Sequence, residues 1–181
     1  MRFRFMIAVL ALQSLPAFAA TVSILPPNLD IVAGQTFSVD IAISGVTDLY
    51  AYQFDLGFDP SVIMSAGVSE GPFLATGGST FFLDGAIDNI GGSVSSTADS
   101  LLTAISGVSG DGIIARAKFK GLSAGSSSIN LFNVVLLDSS LSGIEVNVQG
   151  STVVSGVPEP SAVLLLASGL ALALRLRRRK I

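Results

Sequence analysis

The 181-residue sequence contains no cysteine and no histidine. Without cysteine there is no disulfide to staple the fold and no thiol to act as nucleophile or soft metal ligand. Without histidine the commonest general base and the imidazole metal ligand are excluded as well. Glutamate is nearly as scarce, with Glu70, Glu145 and Glu159 the only three. Glu70 falls in the turn-like Ser69-Glu70-Gly71-Pro72, and Glu145 sits between Ile144 and Val146. Asp59, Asp84, Asp88 and Asp111 adjoin Gly, Pro or Asn, as turn formers do. A two-carboxyl hydrolase site therefore has poor candidates, and no catalytic residue is assigned.

Positive charge is missing from the middle of the chain. Residues 20–156 hold only Arg116, Lys118 and Lys120 against twelve acids, a formal charge of −9. Such a surface repels phosphate backbones and offers no basic patch for counterion release, which excludes nucleic acid as a partner. The composition suits a soluble exported module whose fold rests on core burial.

The other basic residues gather at the two ends. Arg2 and Arg4 precede the apolar run Phe5 to Leu12, and Ala17-Phe18-Ala19 supplies the small residues of a signal peptidase site. Residues 1–19 read as a secretory signal peptide cleaved after Ala19. At the other end, Val157-Pro158-Glu159-Pro160 precedes an uncharged run from Ala162 to Leu174, followed by Arg175, Arg177, Arg178, Arg179 and Lys180. As a helix this run covers about 20 Å of a hydrocarbon core of about 30 Å. It spans only with help from Pro160-Ser161 and the snorkelling arginine stems. The arginines stay cytoplasmic, so the preceding domain faces outward.

Between the ends, residues 20–155 alternate with period two and carry frequent Gly and Ser turns. Phe37, Val39, Ile41 and Ile43 make the buried side of one strand, which Ser44-Gly45 is expected to close. Tyr50, Tyr52, Phe54, Leu56 and Phe58 share one face of the next, leaving Ala51, Gln53 and Asp55 on the other, and Asp59-Pro60 ends it. Asp84-Gly85 predicts a hairpin between Thr80–Leu83 and Ala86–Ile90. Two weaker strands are expected near Ser93 to Ser96 and Leu101 to Ile105. Ile113, Ala115, Ala117 and Phe119 point one way on a further strand, while Arg116, Lys118 and Lys120 point the other. No window has a helical period, and Ser151 to Val157 reads as a short linker. The pattern predicts an all-β, antiparallel sandwich or jelly roll.

The tail resembles the PEP-CTERM sorting signal of Gram-negative bacteria: Pro-Glu-Pro, a short apolar helix and an arginine cluster stand in order at residues 156–181. That resemblance implies recognition by an exosortase, transient inner-membrane anchoring with cleavage near Pro158-Glu159-Pro160, and release to the cell surface or beyond. The middle resembles the cohesin family, nine-stranded jelly-roll modules that bind dockerins and are akin to some carbohydrate-binding modules. The matching stretches are Val32 to Val39, Gly45 to Leu56 with Phe58-Asp59-Pro60, and Gly110 to Gly121. The resemblance implies Asn and Asp on the strand before Asp-Pro, where this chain has Ala51 and Gln53.

Gln53 and Asp55 with Arg116, Lys118 and Lys120 form the candidate binding face, mixed in charge if their strands are neighbours. It would suit a protein partner or an acidic polysaccharide, whereas both tyrosines are assigned to the core. Calcium is the one cofactor left open: Asp84, Asp88 and Asp111, with Asn89, offer hard oxygen ligands, although ordinary Asx turns explain the same residues. The function expected is non-enzymatic ligand binding at the cell surface or in an exopolysaccharide matrix. The alternatives are a structural matrix protein without a specific ligand and a scaffold module for polysaccharide-degrading enzymes.

Overall fold

A computed structural model describes residues 19–25, 28–103, 105–149 and 152–157. The signal-peptide residue Ala17, the segment from Pro158 onward and its expected transmembrane helix lie outside the described residues. Within them the chain is almost entirely strand: β1 (Ala20–Leu25), β2 (Asn28–Val32), β3 (Thr36–Gly57), β4 (Ile63–Glu70), β5 (Thr80–Leu83), β6 (Ala86–Asp88), β7 (Ser93–Leu101), β8 (Val108–Gly121), β9 (Gly125–Asp138), β10 (Val146–Gln149) and β11 (Thr152–Val157). One short helix, α1 (Pro72–Ala75), starts on a proline, whose fixed φ and absent N–H suit a first helical turn.

The 22-residue β3 is the frame, because its two halves belong to two layers. Residues 36–43 run between β1 and β8, giving one sheet in the order β10-β1-β3-β8-β4. Residues 49–57 run between β9 and β7, giving a second sheet in the order β2-β11-β9-β3-β7. The strand crosses between layers where its register against β8 slips, between Ile43 and Leu49. Gly45 at φ +67° and Asp48 at φ +61° take up the turn. Ser44-Gly45 therefore kinks a continuous strand instead of closing one. The Asp111 carboxylate accepts the Gly45 N–H at 2.6 Å and holds the kink against β8.

Three further expectations need correction. Asp84-Gly85 makes no hairpin: β5 and β6 both run antiparallel to β7, end to end along its outer edge. Gly85, at φ +82°, lies so close to β7 that a Cβ would stand 2.6 Å from Thr97 Oγ1, so the chain passes along the edge without folding back. Of the two weak strands expected here, the first extends into β7 (Ser93–Leu101), and the second is not a strand, only Leu101 of its described residues belonging to β7. Ser151 to Val157 is no linker, because Thr152–Val157 pairs in parallel with β2 and antiparallel with β9.

Between the layers the predicted apolar faces meet. Phe37, Val39, Ile41 and Ile43 are buried, as are Tyr52, Phe54, Leu56 and Phe58. Phe119 of β8 stacks on Phe37 at 5.7 Å and receives Phe58 edge-on at 5.4 Å, joining the two sheets. Fully burying each such side chain contributes about 2 kcal/mol. The result is the two-layer, all-β sandwich predicted from the alternation.

Candidate functional site

The outer face of the second sheet carries the most distinctive surface. Register places Leu83, Ala98, Gln53 and Val135 in one row across β5, β7, β3 and β9. Phe81, Ser100, Ala51 and Leu137 make the next row. The central strands contribute small residues and the flanking strands large ones, so the face is a trough with apolar walls, enclosing about 260 Å³. Its walls are exposed: Phe81 by 56%, Leu83 and Val135 by 47% each. With strands about 4.8 Å apart, the β5 and β9 backbones lie about 14 Å apart, and the wall side chains narrow the opening between them. Gln53 stands in the floor as an exposed amide.

Asp55, expected beside Gln53 on this face, is instead 9% exposed. Its Oδ1 accepts the Ser96 N–H at 2.6 Å and its Oδ2 accepts the Asn133 amide at 2.8 Å. Ser96 and Asn133 both have positive φ, +59° and +51°. Each sits at a register slip, one between β3 and β7 and the other between β3 and β9. The extra residue of each bulge lies in β7 or β9, so Asp55 keeps its place on the face opposite Phe54 and Leu56 and is covered by the two bulges, which it ties to β3. Period-two counting along β3 gives the face of Asp55 but not its burial, because the bulges that cover it belong to the neighbouring strands. The nearby Ser95-Ser96 and Asn133, small and amide side chains that tolerate positive φ, were the available signal.

Arg116, Lys118 and Lys120 are exposed, as expected, but on the outer face of the other sheet. There they lie across from Asp40, Ser38 and Thr36 of β3. The structure thus separates them from Gln53, and no mixed face combines the two sets. Arg116 donates through Nε to Asp40 Oδ1 at 2.6 Å and through Nη2 to Oδ2 at 3.2 Å, and this pairing pushes the guanidinium pKa up. Lys118 and Lys120 meet no carboxylate among the described residues.

The calcium candidates are spread out and occupied. Asp88 Oδ1 accepts the N–H groups of Ile90 and Gly91 at 2.9 Å each, which holds its carboxyl below the ordinary range, the Gly91 bond having the larger effect. Asp111 serves the Gly45 kink, and Asp84 is exposed beside Gly85. Among the described residues, no three His, Cys, Asp or Glu side chains gather to hold a metal. Tyr52 is in the core, its hydroxyl donating to the Ile114 carbonyl at 2.5 Å. Tyr50 is half-buried and donates to the Thr103 carbonyl at 3.2 Å.

Comparison with known proteins agrees with this geometry. A family model described as "Cohesin domain" matches residues 26–156, and one described as "PEP-CTERM protein-sorting motif" matches residues 156–180. No curated protein sequence matches the chain. Among solved structures, a non-cellulosomal cohesin from the archaeon Archaeoglobus fulgidus superposes with a TM-score of 0.63 at 16% identity, covering 80% of this chain and 96% of that one. A cohesin from Clostridium acetobutylicum gives 0.61 at 19% identity, with 77% and 91% covered. A type I cohesin–dockerin complex from Clostridium thermocellum gives 0.63 at 13% identity, with 77% and 100% covered.

Proposed function

The chain belongs to the cohesin-domain family, and on that premise we propose that it is an exported, non-catalytic module that binds a partner protein in the trough formed by β5, β7, β3 and β9. The observation that carries this reading is the trough itself: small floor residues between exposed apolar walls. The trough is too narrow to take a whole helix, which is about 10–12 Å across with its side chains, but an amphipathic helix lying along it would set its apolar side chains between the walls. Gln53 and Ser100 supply hydrogen-bonding groups in a floor otherwise made of alanine, where a few polar contacts set orientation. The partner class that fits is a dockerin-bearing protein, the class seen with cohesins of this fold.

Titration of dockerin-bearing proteins from the same organism tests the reading by calorimetry. Leu83→Asp and Gln53→Arg are each expected to weaken binding at least 10-fold while leaving the melting temperature within about 2 °C. Saturable binding that neither variant disturbs would rule out the trough.

A second reading rests on the row of Lys118 and Lys120, cations without a carboxylate partner on a domain of formal charge −9. That row suits an acidic polysaccharide, and the charge reversals Lys118→Glu and Lys120→Glu would abolish such binding. A matrix protein without a specific ligand would show saturation with neither.

The sorting motif marks the chain for export with a membrane-held tail. We propose that an exosortase of a Gram-negative inner membrane cuts near Pro158-Glu159-Pro160, and that the domain then resides at the cell surface or outside. Val157, first residue of the motif, already pairs with Val32, so the signal starts flush with the fold.

A further inference from the structure

Beneath the trough lies a titratable pair that the binding reading does not use. Asp99 points from β7 into the interior and is 2% exposed. Its Oδ1 has no partner, and its Oδ2 lies 3.4 Å from the Tyr52 hydroxyl. Tyr52 has one hydroxyl hydrogen, and that goes to Ile114 at the much shorter distance of 2.5 Å, so it leaves Asp99 poorly satisfied. Glu70, at the end of β4 and itself exposed, stands beside Asp99. Glu70 Oε1 in turn accepts the Thr80 hydroxyl at 2.6 Å, at the first residue of β5.

No positive charge compensates this pair. Tyr52 and Glu70 are the titratable groups facing Asp99 from β3 and β4. β5 and α1 contain no charged residue, and the nearest charge on β8, Arg116, faces outward onto Asp40. Asp99 is buried and Glu70 is exposed beside it, so the buried carboxyl is the one that keeps a proton. A divalent ion such as calcium takes six to eight oxygens, and here only two carboxyls and one hydroxyl converge. One proton on Asp99 makes it a donor toward Glu70 and removes the buried charge.

We propose that Asp99 and Glu70 share one proton, and that this proton clasps the start of β5 to the end of β4, making the trough wall pH-dependent. Burial, and secondarily the Glu70 charge, push the Asp99 carboxyl up to about 7, so the shared proton leaves near neutral pH. Repulsion then parts Glu70 from Asp99 and loosens the Thr80 hydroxyl bond. Phe81 and Leu83, the wall residues that follow, lose their anchor. The clasp acts on the same face as the proposed partner, so its effect on binding rests on that reading, whereas its effect on β5 does not.

The sign follows from linkage. The folded state keeps a proton that the unfolded chain releases near pH 3.8. The stability it contributes is full below about pH 4 and declines as pH rises to about 7. Hydrogen exchange on the exported chain without partner, corrected for intrinsic rates, tests the clasp. Amides of residues 80–83 are expected to lose at least 10-fold protection between pH 6 and pH 8, while those of β1 and β8 hold. Asp99→Asn keeps a hydrogen-bond donor that cannot ionise, so it should flatten this response, and Glu70→Gln should do the same. An unchanged wild type across this range overturns the proposal, as does a response that persists in both variants. Recovery of protection at pH 8 on adding calcium alone would also overturn it, by showing a cation in place of the proton. These readouts need no partner, so a failed clasp leaves the trough standing, and a failed trough leaves the clasp standing.

Discussion

Asp55 shows what a single carboxylate does when it is buried between bulges. Its two oxygens each accept one hydrogen bond from a neighbouring strand, at Ser96 and Asn133, which have positive φ. Charge-assisted hydrogen bonds contribute about 1.5–3 kcal/mol each, and their loss strands buried donors. Asp55→Ala is therefore expected to cost about 3 kcal/mol in urea unfolding, and Asp55→Asn about half that, because one acceptor oxygen survives. A loss under 1 kcal/mol for the alanine variant would show that the bulges stand without it. Other aspartates act at the surface with the opposite pH signature to Asp99. Asp48 is held below the ordinary range by the Ser139 hydroxyl and then by the Gly107 N–H, Asp59 by the Ser61 hydroxyl and N–H, and Asp88 by two backbone donors. Their stability is present above about pH 3.8 and lost as pH falls through their lowered values. Set against Asp99, whose contribution declines upward to about 7, this predicts a melting-temperature maximum near pH 4–5. A maximum at pH 7 or above would contradict it.

At the scale of elements, two segments behave against their local signals. Gly85 resembles a hairpin residue, yet it lets β5 and β6 share one edge of β7. Gly85→Val adds a Cβ at positive φ and against Thr97, with an expected cost of about 2 kcal/mol or more. Exchange should rise first at 86–88 if the strain is relieved at the edge. The second segment is β11, whose Ser and Gly suggest a linker although Thr152, Val153, Val154 and Val157 favour a strand. It bridges β2 and β9, so a chain ending at Val157 should unfold at the same urea midpoint as one that includes the tail. A chain ending at Gln149 should unfold at a clearly lower midpoint. Equal midpoints for the two truncations would mean that the bridge carries no stability.

For the whole molecule, the sandwich is followed by a matched sorting motif at residues 156–180, and a cleaved N-terminal signal peptide is the expected second targeting end. Mass spectrometry of the exported protein is expected to find an N-terminus at Ala20, where β1 begins and the N–H already donates to Glu145. It should find a C-terminus near Pro160. Persistence of Arg177 to Lys180 on the exported form would replace exosortase processing with a plain membrane anchor.

The strand alternation, the buried faces of Phe37–Ile43 and Tyr52–Phe58, the exposure of Arg116, Lys118 and Lys120, and the sorting tail were all legible in the order of residues. Those features depend on a period of two, on charge, and on runs of like character, which are local quantities. What surrounds Asp55, where Gln53 stands relative to the lysines, and the pairing of Asp99 with Glu70 were not. Each depends on bulges in neighbouring strands, or on residues 29 to 78 positions apart being brought together. The sequence by itself determined that two apolar faces would close on each other and where the chain is sent. Only the tertiary structure decided which side chains share a surface, because a strand that crosses between two sheets places its halves on opposite faces of the molecule.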